Sequence, residues 1–210
     1  MTESHNRDTI LGRYRARADA FERKVAAVQP DQWEGQSPCE EWTASDVVAH
    51  IIEMHEVMLR PLGRGLSPAP SVQEDTLAAF RVAKADVEAL LNDPALARTE
   101  VATPTGRMTV EQHIDQVVSD DLVIHGWDLA RATGQDDTMD PEDVERMWSG
   151  TSAIPPDVFE MLHTPNAFGP GIVVFGPVVE VSEDAPPQDR LLGALGRDRH
   201  WQAHGTGAKQ

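Results

Sequence analysis

Thr109-Val-Glu-Gln112-His-Ile-Asp-Gln-Val-Val-Ser-Asp-Asp121-Leu-Val-Ile-His125-Gly-Trp-Asp128-Leu-Ala-Arg-Ala-Thr-Gly134 is the stretch from which the rest of the chain can be read. Thr109 and Gln112 stand at the spacing of a capping box, and Gly134 supplies the stop. Between them Ile114, Val117, Val118 and Leu129 recur at helical steps. Asp121 and His125 fall on the same stripe, one turn apart on one face. The pattern predicts a single helix from Thr109 to Gly134 whose buried face carries an acid and a histidine.

Proline placement organises the rest, because an interior proline breaks a helix. The 15 prolines leave four long free windows, 1–29, 39–60, 71–93 and 105–140, and each carries helical periodicity. Ile10, Tyr14, Ala18, Phe21 and Val25 mark the first helix. Thr43 with Asp46 opens the second in capping-box fashion, and Val47, His50, Ile51, Met54 and Met58 follow on one stripe. Leu77, Phe80, Lys84, Val87 and Leu91 mark the third, which Asn92-Asp93-Pro94 ends. Four such helices with short polar connections predict a mainly all-α protein built as an antiparallel four-helix bundle over residues 1–140.

Residues 141–210 hold eight of the prolines and read differently. Short helices are expected at Glu142–Trp148, Val158–Leu162 and Gln188–Leu195, with short extended pieces at Gly171–Phe175 and Val178–Val181. This segment is too poor in apolar residues for a second domain, so it is expected to wrap on the bundle and to end in a disordered tail from Ala203.

The chain of 210 residues is long enough for a sizeable core, and its formal net charge is −17. That surplus repels phosphate backbones and anionic membrane surfaces, which argues against nucleic acid and membranes as partners. A single cysteine, Cys39, excludes an intrachain disulfide and a thiolate-rich zinc site. The first residues lack a signal peptide's basic start and apolar core, and no window is apolar enough to span a membrane. A cytoplasmic protein is expected.

Polar residues on apolar stripes carry the chemical information. A carboxylate on a buried face is costly without a partner. For Asp121 that partner is a metal ion, an arginine or a histidine, and Asp-x-x-x-His presents two ligands to one cation. His50 meets the same predicament between Val47, Ile51 and Met54. Two histidines and one carboxylate would leave coordination positions open, as catalytic sites do. The plainer alternatives are a core histidine at position 50 and an Asp121–His125 hydrogen bond. Asp128, one turn beyond His125, would orient it or else pair with Arg131. His55 and His113 fall off their stripes and are expected to face solvent. Cys39 is expected to be buried and inert. Glu160 and His163 form one Glu-x-x-His where a di-iron bundle needs two.

Trp33 and Ser37-Pro-Cys-Glu-Glu-Trp-Thr-Ala-Ser-Asp-Val-Val-Ala-His50 resemble the first metal-ligand helix of the DinB-like superfamily. The nearest branch is the one containing mycothiol-dependent maleylpyruvate isomerase. Asp121-Leu-Val-Ile-His125-Gly-Trp-Asp-Leu-Ala-Arg-Ala-Thr-Gly134 resembles that branch's second ligand helix. Ala185-Pro-Pro-Gln-Asp-Arg-Leu-Leu-Gly-Ala-Leu-Gly-Arg-Asp198 is similar to the ending of a group of mostly uncharacterised metal-binding relatives. The resemblance implies a four-helix bundle holding a divalent metal, usually zinc or nickel, through His50, Asp121 and His125. Asp121 stands where the branch carries Glu, a shorter arm that retracts the carboxylate. The isomerase's large C-terminal domain has no clear counterpart, so that particular reaction does not transfer.

The resemblance thus implies a metal- and thiol-dependent transferase or isomerase, with mycothiol as the thiol and a small electrophile as substrate. The competing reading is a non-enzymatic, stress-related metal-binding module, favoured if the metal faces a closed apolar lining rather than a polar pocket. A two-His-one-carboxylate iron oxygenase shares the ligand set but usually sits on a β-barrel. Relatives of this bundle often dimerise, which makes a homodimer an expectation without an identified interface.

Overall fold

The computed structural model describes residues 7–103, 106–169 and 171–203; the tail expected from Ala203 therefore lies almost wholly outside the described residues. The chain is mostly helical, with one small two-stranded sheet, and divides into two compact units, one through Asp137 and one over Thr138–Gln202. No described helix is long and apolar enough to cross a membrane.

In the first unit, α1 (Ile10–Ala27), α2 (Ala44–Leu59), α3 (Val72–Asn92) and a broken fourth helix pack around a common core. α2 packs on α3 and on the fourth helix, and α1 does the same from the other side. Phe21 and Phe80 meet at 5.1 Å between α1 and α3, and Ile51, Ile114 and Leu129 are fully enclosed. The starts follow the sequence: Thr43–Asp46 and Ser71–Glu74 both close reciprocal capping boxes. After the short α4 (Pro94–Ala97), strands β1 (Glu100–Thr103) and β2 (Gly106–Thr109) pair antiparallel, Val101 facing Met108. No sequence signal had pointed to this hairpin.

The fourth helix is not continuous. α5 (Val110–Gln116) and α6 (Val118–Thr133) are separated at Val117, where φ is −109° and ψ is −75°. Neither proline nor glycine causes the break. Arg13 on α1 grips Asp115 in α5 through two bonds of 3.1 and 2.8 Å, and Arg17, one turn on, reaches Asp120 in α6 at 2.7 Å. Five residues advance an unbroken helix by about 500°, so Asp115 and Asp120 would diverge by about 140°. The break at Val117 lets both carboxylates face one row of arginines. α6 ends at Gly134, whose φ of 67° is the left-handed cap that glycine adopts without penalty.

His55, expected to face solvent, is fully enclosed. The buried residues of α2 run Ala44, Val47, Val48, Ile51, His55, Met58 and Leu59, so the true stripe is rotated from the one that His50 and Met54 suggest. His55 Nδ1–H donates to the Ile51 carbonyl at 2.6 Å, which leaves Nε2 to accept from the Tyr14 hydroxyl at 2.9 Å. His113 is half-buried rather than solvent-facing.

The second unit holds α7 (Pro141–Ser152), α8 (Pro156–Leu162) and α9 (Pro187–Ala194), with α7 packed on α9 through Val144, Met147, Leu191 and Leu192. The extended pieces expected at 171–175 and 178–181 form no described strand. Residues 176–181 instead lie along the C-terminal end of α9. The Val179 amide donates to the Gly193 carbonyl at 3.0 Å, and a Cβ on Gly196 would meet the Gly176 carbonyl at 2.5 Å.

Burial lowers the His55 pKa from 6.5 to about 4. Between those values only the unfolded chain takes up the proton, so the stability is full above about pH 6.5 and is lost as pH falls to about 4. Urea unfolding is expected to show roughly 3 kcal/mol of pH-dependent loss over this range from His55. His55→Leu is expected to remove that component; a variant with the wild-type pH profile would refute the assignment.

Candidate metal centre

α6 is buried along almost its whole length, with Leu122, Ile124, Trp127, Leu129 and Ala130 all enclosed. On it sit Asp121, His125 and Asp128, and their environments differ. Asp128 has 0% exposure and His125 only 7%, whereas the side chains of Asp121 and of His50 on α2 are 31% and 25% exposed. The sequence placed His50, Asp121 and His125 on buried faces. The structure instead puts His125 and Asp128 inside, with His50 and Asp121 at the margin.

His50, Asp121 and His125 converge, each offering a ligand atom within 4.8 Å of the others. The imidazoles of His50 and His125 lie 4.8 Å apart at their centroids. His50 Nε2 and Asp121 Oδ2 are 3.8 Å apart, too long for a direct hydrogen bond. That separation is close to the edge of about 3.4 Å in a tetrahedral site with bonds of about 2.1 Å. The donor set therefore fits a divalent cation.

Cys39, His125 and Asp128 form a second cluster of potential ligands that shares His125. Here the distances are those of direct hydrogen bonds. His125 Nδ1 lies 2.9 Å from Asp128 Oδ2, and the Cys39 thiol donates to the same oxygen at 3.3 Å. An ionised carboxylate only accepts, so with Asp128 in that form the proton belongs on Nδ1 and His125 Nε2 is the free nitrogen. Asp128 thus lies within hydrogen-bond distance of His125, the neighbour it was expected to orient. Arg131 pairs with Asp137 at 3.1 Å and stacks near Trp127.

Two contributors escaped the sequence reading, and both come from the loop between α1 and α2. Trp42 lies 4.8 Å from the His50 ring and 5.7 Å from the His125 ring, covering both imidazoles. Cys39, expected to be inert, is the thiol that reaches Asp128. The signal for both was present in Ser37–Trp42, a short run holding the chain's one cysteine and a tryptophan just ahead of the capping box. Glu160 and His163 take no part; the two His163 nitrogens face the carbonyls of Phe159 and Ala194 at 2.8 and 2.9 Å.

The family model described as mycothiol maleylpyruvate isomerase N-terminal domain matches residues 14–130, a span that contains Cys39, Trp42 and every residue of the site. Uncharacterized proteins of two Mycobacterium tuberculosis strains, CDC 1551 / Oshkosh and H37Rv, are each 30% identical over 191 residues, 90% of this chain and 98% of theirs. The chain belongs to the mycothiol maleylpyruvate isomerase N-terminal domain family. A crystal structure of a mutant of the mycothiol-dependent maleylpyruvate isomerase aligns with a TM-score of 0.45 at 15% identity, covering 81% of this chain and 74% of that one.

In metal-free protein, His125 is expected to be the Nδ1–H tautomer in long-range nitrogen–proton NMR correlations. Asp128→Asn, whose amide can donate as well as accept, is expected to mix the tautomers. An unchanged spectrum in the variant would show that Asp128 does not set the proton's position.

Proposed function

We propose that this protein is a cytoplasmic, metal- and thiol-dependent transferase or isomerase whose four long helices form an antiparallel bundle of the DinB-like type. His50, Asp121 and His125 would hold zinc or nickel. The thiol would be mycothiol or a related small thiol, and the substrate a small electrophile. The observation that carries this reading is the convergence of two imidazoles and a carboxylate, with His125 Nδ1 held by an enclosed Asp128. The family relationship supports the thiol.

A divalent cation bound there supplies a Lewis acid that favours the thiolate of a small thiol at neutral pH. The chain's own residues do the rest. Asp128 keeps the His125 proton on Nδ1, so Nε2 is always presented as a lone pair. Trp42 covers both imidazoles and shields that side from water. Asp121, partly exposed, marks the side from which a substrate would approach. The thiol proton would pass to solvent as sulfur bonds to an electrophilic carbon. In S-transfer a leaving group departs from that carbon with its bonding pair. In isomerisation the carbon's double bond opens, the resulting single bond rotates, and return of the electron pair re-forms the double bond and expels the sulfur.

Protein purified without a chelating tag is expected to carry near one divalent metal per chain by elemental mass spectrometry, and His125→Ala to carry none. Asp128→Asn is expected to weaken metal binding by about 10–100-fold. Turnover of an electrophile with mycothiol should then vanish on chelation. A chain that binds no metal after reconstitution with zinc and nickel would sink the proposal. Metal without thiol turnover would leave the non-enzymatic module.

A further inference from the structure

We infer that Cys39 is a positioning residue for the metal centre, acting on His125 through Asp128. The inference rests on the reading of His50, Asp121 and His125 as the cation's holders. Asp128 Oδ2 accepts from two directions, from His125 within its own helix at 2.9 Å and from the Cys39 thiol in a separate loop at 3.3 Å. With the histidine alone, the carboxylate could turn together with the imidazole it holds. A second donor on an independent element ties its orientation to the fold.

The loop is built to place that sulfur. The Cys39 amide donates to Ser37 Oγ at 3.2 Å, and its carbonyl accepts from the Trp42 amide and the Gln36 side chain, each at 3.1 Å. Ser37 is itself buried, at 1% exposure. The loop closes through Glu41 at a φ of 64°, a left-handed conformation that a non-glycine residue adopts only at a cost. The same closure sets Trp42 over the two imidazoles.

Cobalt titration of wild type, Cys39→Ser, Cys39→Ala and Cys39→Val, followed by the visible ligand-field bands and by competition with a chelator, tests this. Ala and Val, which lack a donor, are expected to weaken cobalt binding by about threefold to tenfold, below the 10–100-fold usual for a direct partner of a ligand. Ser, which keeps a donor, is expected to stay within about twofold of wild type and to retain its band shape. Ala and Val binding as tightly as wild type would overturn the inference and leave the metal reading standing. Weakening in Ala alone would assign the effect to lost volume, and weakening in Ser equal to that in Ala would exclude the hydrogen bond; either overturns it. Wild type that binds no cobalt would overturn the metal reading and this inference together.

Discussion

A carboxyl group with no exposed surface has to be met by donors, because water cannot reach it. Asp128 is such a group, and its Oδ2 is met by His125 and by the Cys39 thiol. His125 lies on the same helix, one turn back, which secondary structure supplies without tertiary help. Cys39 is 89 residues away and arrives only because the loop ahead of α2 folds over α6. The same closure brings α2 alongside α6, and with it His50. The enclosed hydrogen bonds and the convergence of His50 with Asp121 and His125 are therefore two sides of one packing event.

Charge on α1 shapes the helix that carries the site. Arg13 and Arg17 sit on one row and draw Asp115 and Asp120 to it, and the chain yields at Val117 to permit both. Arg17 is enclosed while Asp120 reaches solvent, so removing Asp120 would take that carboxylate away from a buried guanidinium, the costlier way to break such a pair. The break costs intrahelical bonds at one turn and frees α6 to take its own angle. Asp121 and His125, one turn apart on α6, differ in burial.

Much of this was legible in the residues themselves. Proline-free windows with helical periodicity located all four long helices, and the capping pairs at Thr43 and Thr109 located two of their starts. Ligand candidates were legible because His50, Asp121 and His125 read from their spacing as polar residues on apolar stripes, although only His125 proves to be buried. His55 was misjudged for a related reason. A polar residue in the middle of a stripe reads as its edge unless the partner is known, and Tyr14, 41 positions away, is invisible to local spacing. The β1–β2 hairpin was missed because Glu100–Thr103 and Gly106–Thr109 are too short and too polar to declare an alternation.

What the sequence determined by itself was local: which segments are helical, where they begin, and which polar residues lie a turn apart. Backbone hydrogen bonding, proline geometry and capping act within a few residues, so they are written in neighbouring letters. Only the tertiary structure decided that Cys39 and Trp42 belong to the site, that His55 lies in the core, and that the fourth helix is broken. Each depends on a group dozens of positions away in the chain. Its placement follows from how helices pack and which buried charges must be paired, and no window of sequence contains that information.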